Sequence, residues 1–306
     1  MAAPGLAGTD LLASAKCHTL HNGVSMPLLG LGTWRLHGNK LRGGVFGALQ
    51  EQYGLIDTAS VYENEAEIRE LLKEAGNPRV FLTSKLQPKD AQGTEAVLRA
   101  FDGTIQRLGV DQLDLYLIHW PGSSGVDTSD PENLQLSLTV FLLLCGRLGL
   151  MTPWLRKPII AFQVRAIGVS NFMVTHLENL MEDGAKIMPM IEWHPMCWVP
   201  ELIPFAKKHN ITLQAYSSLG SGENRLLEHP VVKEIAKEIQ QPPSVVLLRW
   251  ALQQGLLVIP CSTSQEHLRE NARIFDVQLS DDQMNKLSSI HEEGQHRFCW
   301  NPHKIA

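Results

Sequence analysis

Neither sign of charge dominates this chain. Its 27 Lys and Arg stand against 32 Asp and Glu, a formal net charge of -5 over 306 residues. It therefore carries no electrostatic footprint for nucleic acid or for an anionic membrane surface, and neither partner is expected. Cysteine is sparse: Cys17, Cys145, Cys197, Cys261 and Cys299 are an odd number, far apart, and form no C-x-x-C pair. That excludes a disulfide framework and suits a reducing compartment. The opening "MAAPGLAGTDLLASAK" lacks the basic start and sustained apolar core of a secretory leader, so the cytoplasm is the default. The histidines fall into no H-E-x-x-H grouping, and no metal is expected. "GLGTWR" supplies Gly30 and Gly32 but not the third glycine of a Rossmann fingerprint.

What is present has a rhythm. Short apolar runs, "LLGLGTW", "GLIDTAS", "VFLTSK", "LDLYLIHW", "AIGVSN", "MIEWH", "TLQAYSS" and "LLVIPCS", number eight. Between them lie amphipathic stretches such as "NEAEIRELLKEAG" and "PELIPFAKKHN" that stop at Gly or Asn, as helix C-termini do. Strand alternating with helix means a parallel sheet, and eight such units predict one domain over residues 1–306, an α/β fold of the (β/α)8 TIM-barrel type. Asn22-Gly23, inside "LHNGVSMPL", predicts an N-terminal β-hairpin capping one end of the barrel.

Several of these runs end on a chemically useful residue. Asp57 closes "GLID", and Tyr62 follows in the loop. Lys85 ends "VFLTSK", His119 and Trp120 end "LDLYLIHW", and Ser170 and Asn171 end "AIGVSN". Asn64 and Glu67 have capping-box spacing, which starts the next helix directly after "VYE". The polar residues thus converge on the C-terminal rim, where barrel active sites are built. Each alone has a bland reading as a turn cap, a solvated cation or a satisfied core histidine. Together they supply a phenol beside an ammonium, which is expected to lower its pKa. An aspartate holds that ammonium, and an imidazole can donate to an oxygen gaining negative charge.

Taken in order and spacing, "LGLGTW", "LIDTASVYENE", "TSK", "LDLYLIHWPG", "RAIGVSNF", "IEWHP", "QAYSSLGSG" and "VIPCSTSQEHLRENARIFD" resemble the aldo-keto reductase family over nearly the whole chain. The resemblance implies a monomeric enzyme reducing a small aldehyde or ketone with NADPH, or alternatively NADH. It implies a catalytic tetrad of Asp57, Tyr62, Lys85 and His119, with Tyr62 delivering the proton. It further implies Gly32, Thr33 and Trp34 beside the ribose and substrate, and Ser170 and Asn171 on the nicotinamide amide, with Tyr216 stacked on its ring. Ser217, Leu219 and Ser221 match the family's pyrophosphate loop, Ser262, Thr263 and Arg269 lie at the adenosine phosphate, and Glu270 and Asn271 match its adenine contacts. Trp34 and Trp120, with Trp193 and Trp300, are candidates to line the substrate pocket.

The pattern is broken at three places. Cys261 and His267 stand where the family has two cations for the 2'-phosphate, which weakens the expectation of NADPH preference. Met190 stands where it has a nicotinamide-binding Gln. "LSLTVFLLLCGRLGLMTPWLRKPIIAFQ", Leu136 to Gln163, replaces the usual amphipathic fourth helix with a segment that contains no acidic residue. Its Arg147, Pro153 and Pro158 interrupt any clean membrane span. Two functions stay open at this point, a working carbonyl reductase and a catalytically impaired relative or splice isoform.

Overall fold

The computed structural model describes residues 6, 8–122, 163–182 and 188–301. The atypical 136–163 segment lies outside them, apart from Gln163. The hairpin forms as expected: β1 (Cys17–Thr19) pairs antiparallel with β2 (Ser25–Pro27), Thr19 opposite Ser25. Leu20 N–H donates to the Val24 carbonyl at 2.8 Å, and Gly23 sits at φ 84°, the left-handed conformation glycine adopts at little cost.

Eight parallel strands follow, each beside its sequence neighbour: β3 (Leu31–Gly32), β4 (Leu55–Asp57), β5 (Phe81–Leu86), β6 (Leu113–Ile118), β7 (Val164–Ser170), β8 (Pro189–Glu192), β9 (Gln214–Tyr216) and β10 (Leu257–Val258). The sheet closes through Gly30 N–H to Val258 O at 2.9 Å, Val258 N–H to Leu28 O at 3.0 Å and Gly32 N–H to Pro260 O at 3.0 Å. Helices at Gly38–Gln50, Glu65–Glu74, Thr94–Leu108, Val174–Glu182, Leu202–His209, Pro230–Glu238, Pro243–Gln253 and Gln265–Ala272 lie between or after the strands. Thr94–Leu108 and Leu202–His209 end on left-handed Gly109 and Asn210, the stops read from the sequence.

Strand alternation splits the core in two. Leu55, Phe81, Leu115, Leu117, Ala166, Met188, Met190 and Leu257 fill the barrel, and Leu20, Val24 and Met26 of the hairpin join them. Asn22 Nδ2 donates to the carbonyl of Arg165, at the start of β7, at 2.9 Å, so the hairpin plugs the N-terminal end. Ile56, Leu82, Tyr116 and Ile118 face the helices instead. Burying such side chains contributes about 1.5–3 kcal/mol each. The same alternation has a consequence for chemistry. Two residues beyond inward Leu55 comes Asp57; beyond Phe81 come Thr83 and Lys85; beyond Leu117 comes His119. The inward row of each strand ends in a polar group at the C-terminal rim.

Leu113 pairs with Val164 and Ile118 with Val169, so the strand after the atypical segment enters in register and Ser170 arrives at the rim. At Gly168 an added Cβ would lie 2.2 Å from the Met188 carbonyl, which explains glycine at this close approach of β7 and β8.

Candidate active site

Lys85 is 1% exposed, and its ammonium donates to Asp57 Oδ1 at 2.6 Å and to the Thr58 carbonyl at 2.8 Å. Asp57 is 2% exposed, and its Oδ2 has no partner. The Tyr62 ring, on the short helical turn Ser60–Tyr62, lies with its centroid 4.9 Å from the Lys85 nitrogen and 5.6 Å edge-on from the His119 ring. The four residues picked out in the sequence are therefore one cluster.

Asn64 braces the loops beside this cluster, in a way its spacing did not suggest. The expected capping box is absent: Asn64 makes no cap bond to its helix. It is fully buried, accepts from Thr58 Oγ1 at 2.6 Å and donates to the carbonyls of Thr33 and Leu36 at 2.9 and 3.0 Å. Tying the loop after β3 to the loop after β4 outweighs capping because three buried polar groups are satisfied at once. Glu67 instead accepts from the Gly38 amide at 2.7 Å.

The electrostatics correct one expectation. The Tyr62 phenol is not lowered by its ammonium neighbour. Burial first, then the negative charge of Asp57, hold its pKa well above the ordinary value. Lys85 has already given two N–H bonds to Asp57 and Thr58, so its charge is locally compensated. Burial lowers the Lys85 ammonium and raises the Asp57 carboxyl, each partly offset by the other. His119 is held well below the ordinary histidine range by burial and by Lys85, so it is a neutral imidazole near pH 7. His194 is also lowered, chiefly by burial.

These two depressed histidines set an acid sensitivity. Below about pH 6.5 the unfolded chain binds a proton at each position that the folded chain refuses, so stability is present above that pH and lost as pH falls. The expected loss is up to about 1.4 kcal/mol per pH unit for each histidine. Urea unfolding at pH 7.5, 6.5 and 5.5 measures it, and His119→Asn should remove one share. A flat stability curve there contradicts the assignment.

Of the remaining predicted residues, Thr33 and Asn171 bond directly to members of the cluster. Asn171, at φ 67°, donates to the His119 carbonyl at 2.9 Å and to Ser170 Oγ at 3.0 Å, and the Tyr216 hydroxyl donates to its Oδ1. Thr33 Oγ1 donates to the Asp57 carbonyl at 2.9 Å. Ser217 Oγ meets Ser221 Oγ at 2.6 Å across a loop that includes half-buried Leu219, with Ser217, Gly220, Ser221 and Gly222 all at positive φ. Ser262 accepts from the Ser264 amide at 3.2 Å beside exposed Thr263, just before helix Gln265–Ala272, which carries half-buried Glu270. Asn271 is 1% exposed, and both atoms of its amide lack a partner of normal geometry, although it lies against the Tyr53 hydroxyl. Arg269 is exposed, and its Nε pairs with Glu51 at 3.2 Å, which leaves the other guanidinium N–H groups to solvent.

The tryptophans divide. Trp34 is exposed at the rim with the Arg35 guanidinium stacked 4.0 Å over it, and Trp120 meets Trp300 at 5.9 Å. Trp193 is fully buried against Trp198 and Trp250, so it belongs to packing and not to a pocket. Met190 points into the barrel filling and offers no polar contact.

Glu192, His194 and Cys197 bring a carboxylate, an imidazole and a thiol within 4.8 Å of one another, which their sequence spacing did not reveal. Burial pushes the Cys197 thiol up to about 12, and Arg297 already stands 3.5 Å from the Glu192 carboxylate. A dication there would have to displace a proton and face a cation, so the grouping reads as a clasp.

A family model described as "Aldo/keto reductase family" matches residues 28–292. The chain is 40% identical over 294 residues to the uncharacterized oxidoreductase YtbE of Bacillus subtilis (strain 168), covering 93% of this chain and 95% of that one. It is 38% identical over 282 residues to the glyoxal reductase of the same organism, covering 90% and 92%. The crystal structure of an aldo-keto reductase enzyme from a Medee basin deep-sea metagenome library matches with a TM-score of 0.78 at 33% identity, covering 92% of this chain and 97% of that one. The closed eight-stranded barrel agrees with all three, and the chain belongs to the aldo/keto reductase family, whose members are NAD(P)H-dependent oxidoreductases.

Proposed function

We propose that this chain reduces small aldehydes and dicarbonyls, with Tyr62 as the proton donor and NADPH as the coenzyme, NADH being accepted as well. The observation that carries this reading is the buried Asp57–Lys85 pair directly beneath the Tyr62 and His119 rings. A salt bridge this deep costs desolvation without a clear return in stability, so its place at the rim is better explained by chemistry.

The residues fit a dinucleotide. The unpaired Asn271 amide is suited to the edge of a base, and the turns at Ser217 and Ser221 present backbone to a pyrophosphate. Arg35, which sequence reading passed over, adds an exposed cation at the rim, close enough to Cys299 to act on its thiol. Asn171, held by His119 and Tyr216, would be the residue that takes a nicotinamide amide. Bound there, a reduced nicotinamide supplies the hydride. Neutral His119 donates one N–H to the carbonyl oxygen and orients it. The Tyr62 phenol, kept protonated by burial, gives its proton to that oxygen as negative charge develops. Asp57 and Lys85 hold a fixed dipole beneath the phenol, without solvent reorganisation.

Loss of nicotinamide absorbance when the purified chain meets NADPH and glyoxal tests the reading. The rival reading of an impaired relative predicts coenzyme binding without turnover. Register across β6 and β7 favours the working enzyme, since it delivers Ser170 and Asn171 to His119.

Coenzyme choice gives a separate prediction. Cys261 and His267 are exposed where the family has two cations, which leaves Arg269, with its Nε on Glu51, as a remaining cation for a 2'-phosphate. Discrimination between NADPH and NADH is therefore expected to be shallow. Cys261→Lys with His267→Arg should tighten NADPH by on the order of a hundredfold or more, at roughly 1.5–3 kcal/mol for each charge-assisted bond, and leave NADH unchanged. Equal tightening of both coenzymes in a fluorescence titration would refute the clamp.

A further inference from the structure

Glu192 ends β8, facing inward above Met190, with its side chain wholly out of solvent. Its Oε1 accepts the Phe298 amide at 2.6 Å and meets His194 Nε2 at 3.2 Å, while Oε2 takes Arg297 at 3.5 Å. Two of these three donors come from the C-terminal segment. The Phe298 ring is flanked by the imidazoles of His194 and His296, at 4.9 and 4.7 Å, and the His296 amide donates to the Met196 carbonyl at 3.0 Å. The next two residues reach the rim. Cys299 Sγ lies 3.4 Å from Ser217 Oγ, and Trp300 packs on Trp120.

We propose that Glu192 is a positioning residue that clamps Arg297 and Phe298 to the end of β8, and so sets where Cys299 and Trp300 stand as the wall of the substrate pocket. The proposal deepens the carbonyl-reductase reading and rests on it for its kinetic consequence. Glu192 touches none of the tetrad, so its role is reach and fit for the carbonyl compound. Burial alone would push this carboxyl up and neutralise it. Its bonds from His194 and Phe298 and the charge of Arg297 outweigh burial and hold the group below its usual value, so the clamp stays ionised. Sequence reading missed it because Glu192 and Phe298 are more than a hundred residues apart.

Glu192→Gln and Glu192→Ala test the clamp, with Arg297→Met as a variant that leaves no buried cation behind. Gln retains an acceptor for the Phe298 amide and loses the charge facing Arg297. In the Ala variant KM for a bulky aromatic aldehyde should shift by about tenfold, with kcat and NADPH affinity little changed. The Gln variant should fall between, and Arg297→Met should resemble Gln. Independently of turnover, iodoacetamide should alkylate Cys299 about tenfold faster in the Ala variant, read by peptide mass spectrometry. If wild type reduces no carbonyl, the labelling rates still decide the clamp. Unchanged Cys299 labelling in Glu192→Gln, Glu192→Ala and Arg297→Met overturns it, as does a fall in kcat with KM untouched. If the Ala variant does not fold, Gln and Arg297→Met carry the same readouts.

Discussion

Tyr62→Phe is expected to lower the rate of carbonyl reduction by about 10²- to 10⁴-fold while leaving coenzyme affinity as it was. The substitution removes one oxygen and keeps the ring against Lys85 and His119, so the cluster's packing survives. What is lost is a proton at the position where an oxyanion forms. A loss of that size is about 2.7–5.5 kcal/mol of transition-state stabilisation. A mutant that keeps more than a tenth of the wild-type rate removes Tyr62 from the role of acid. The pH profile adds a second check. Because burial and Asp57 hold the phenol well above its ordinary pKa, the acid form persists through neutral and mildly alkaline pH. Reduction should therefore show no loss from this group between about pH 6 and 9, while the reverse oxidation, which needs the phenolate as base, should rise with pH across that interval. A reduction rate that falls with an apparent pKa near neutrality would mean that the phenol is far more acidic than its burial implies.

The barrel and the gathering of Asp57, Tyr62, Lys85 and His119 at one rim were legible because both are written locally. Each strand is a short apolar run whose last inward residue is polar, so alternation alone puts Asp57, Lys85 and His119 on one rim once the sheet is closed. The hairpin turn and the helix stops at Gly109 and Asn210 depend on single residues and read equally well. Contacts between distant segments did not read. Asn64 looks like a cap because caps are a local pattern, yet three bonds to groups from other loops outweigh it. Trp193 looks like a pocket residue until Trp198 and Trp250 close around it. The Tyr62 pKa went the other way because proximity to Lys85 was visible in the sequence pattern, whereas the depth of burial was not.

Asp57→Ala is expected to cost about 3–5 kcal/mol of folding stability, among the largest effects of any single change in this chain. Lys85 is 1% exposed, and without Asp57 its ammonium keeps only the Thr58 carbonyl. The penalty is that of a charge left in a low-dielectric site, more than the worth of the lost bond. Two further measurements separate that cause from ordinary cavity formation. First, the double variant Asp57→Ala with Lys85→Met should be more stable than Asp57→Ala alone, since the second change removes the stranded charge; cavity formation by itself predicts no such recovery. Second, the deficit should shrink as pH rises. Burial already holds Lys85 below its ordinary pKa with Asp57 opposing, so removing Asp57 lowers it further. Over the interval between that depressed value and about 10.5 the unfolded chain binds a proton that the folded chain does not, and stability rises with pH by up to about 1.4 kcal/mol per unit. Urea unfolding of wild type, Asp57→Ala and the double variant at pH 7 and pH 9 measures all three effects. A double variant less stable than Asp57→Ala, with a deficit that is the same at both pH values, would show that the pair is held by packing and not by charge.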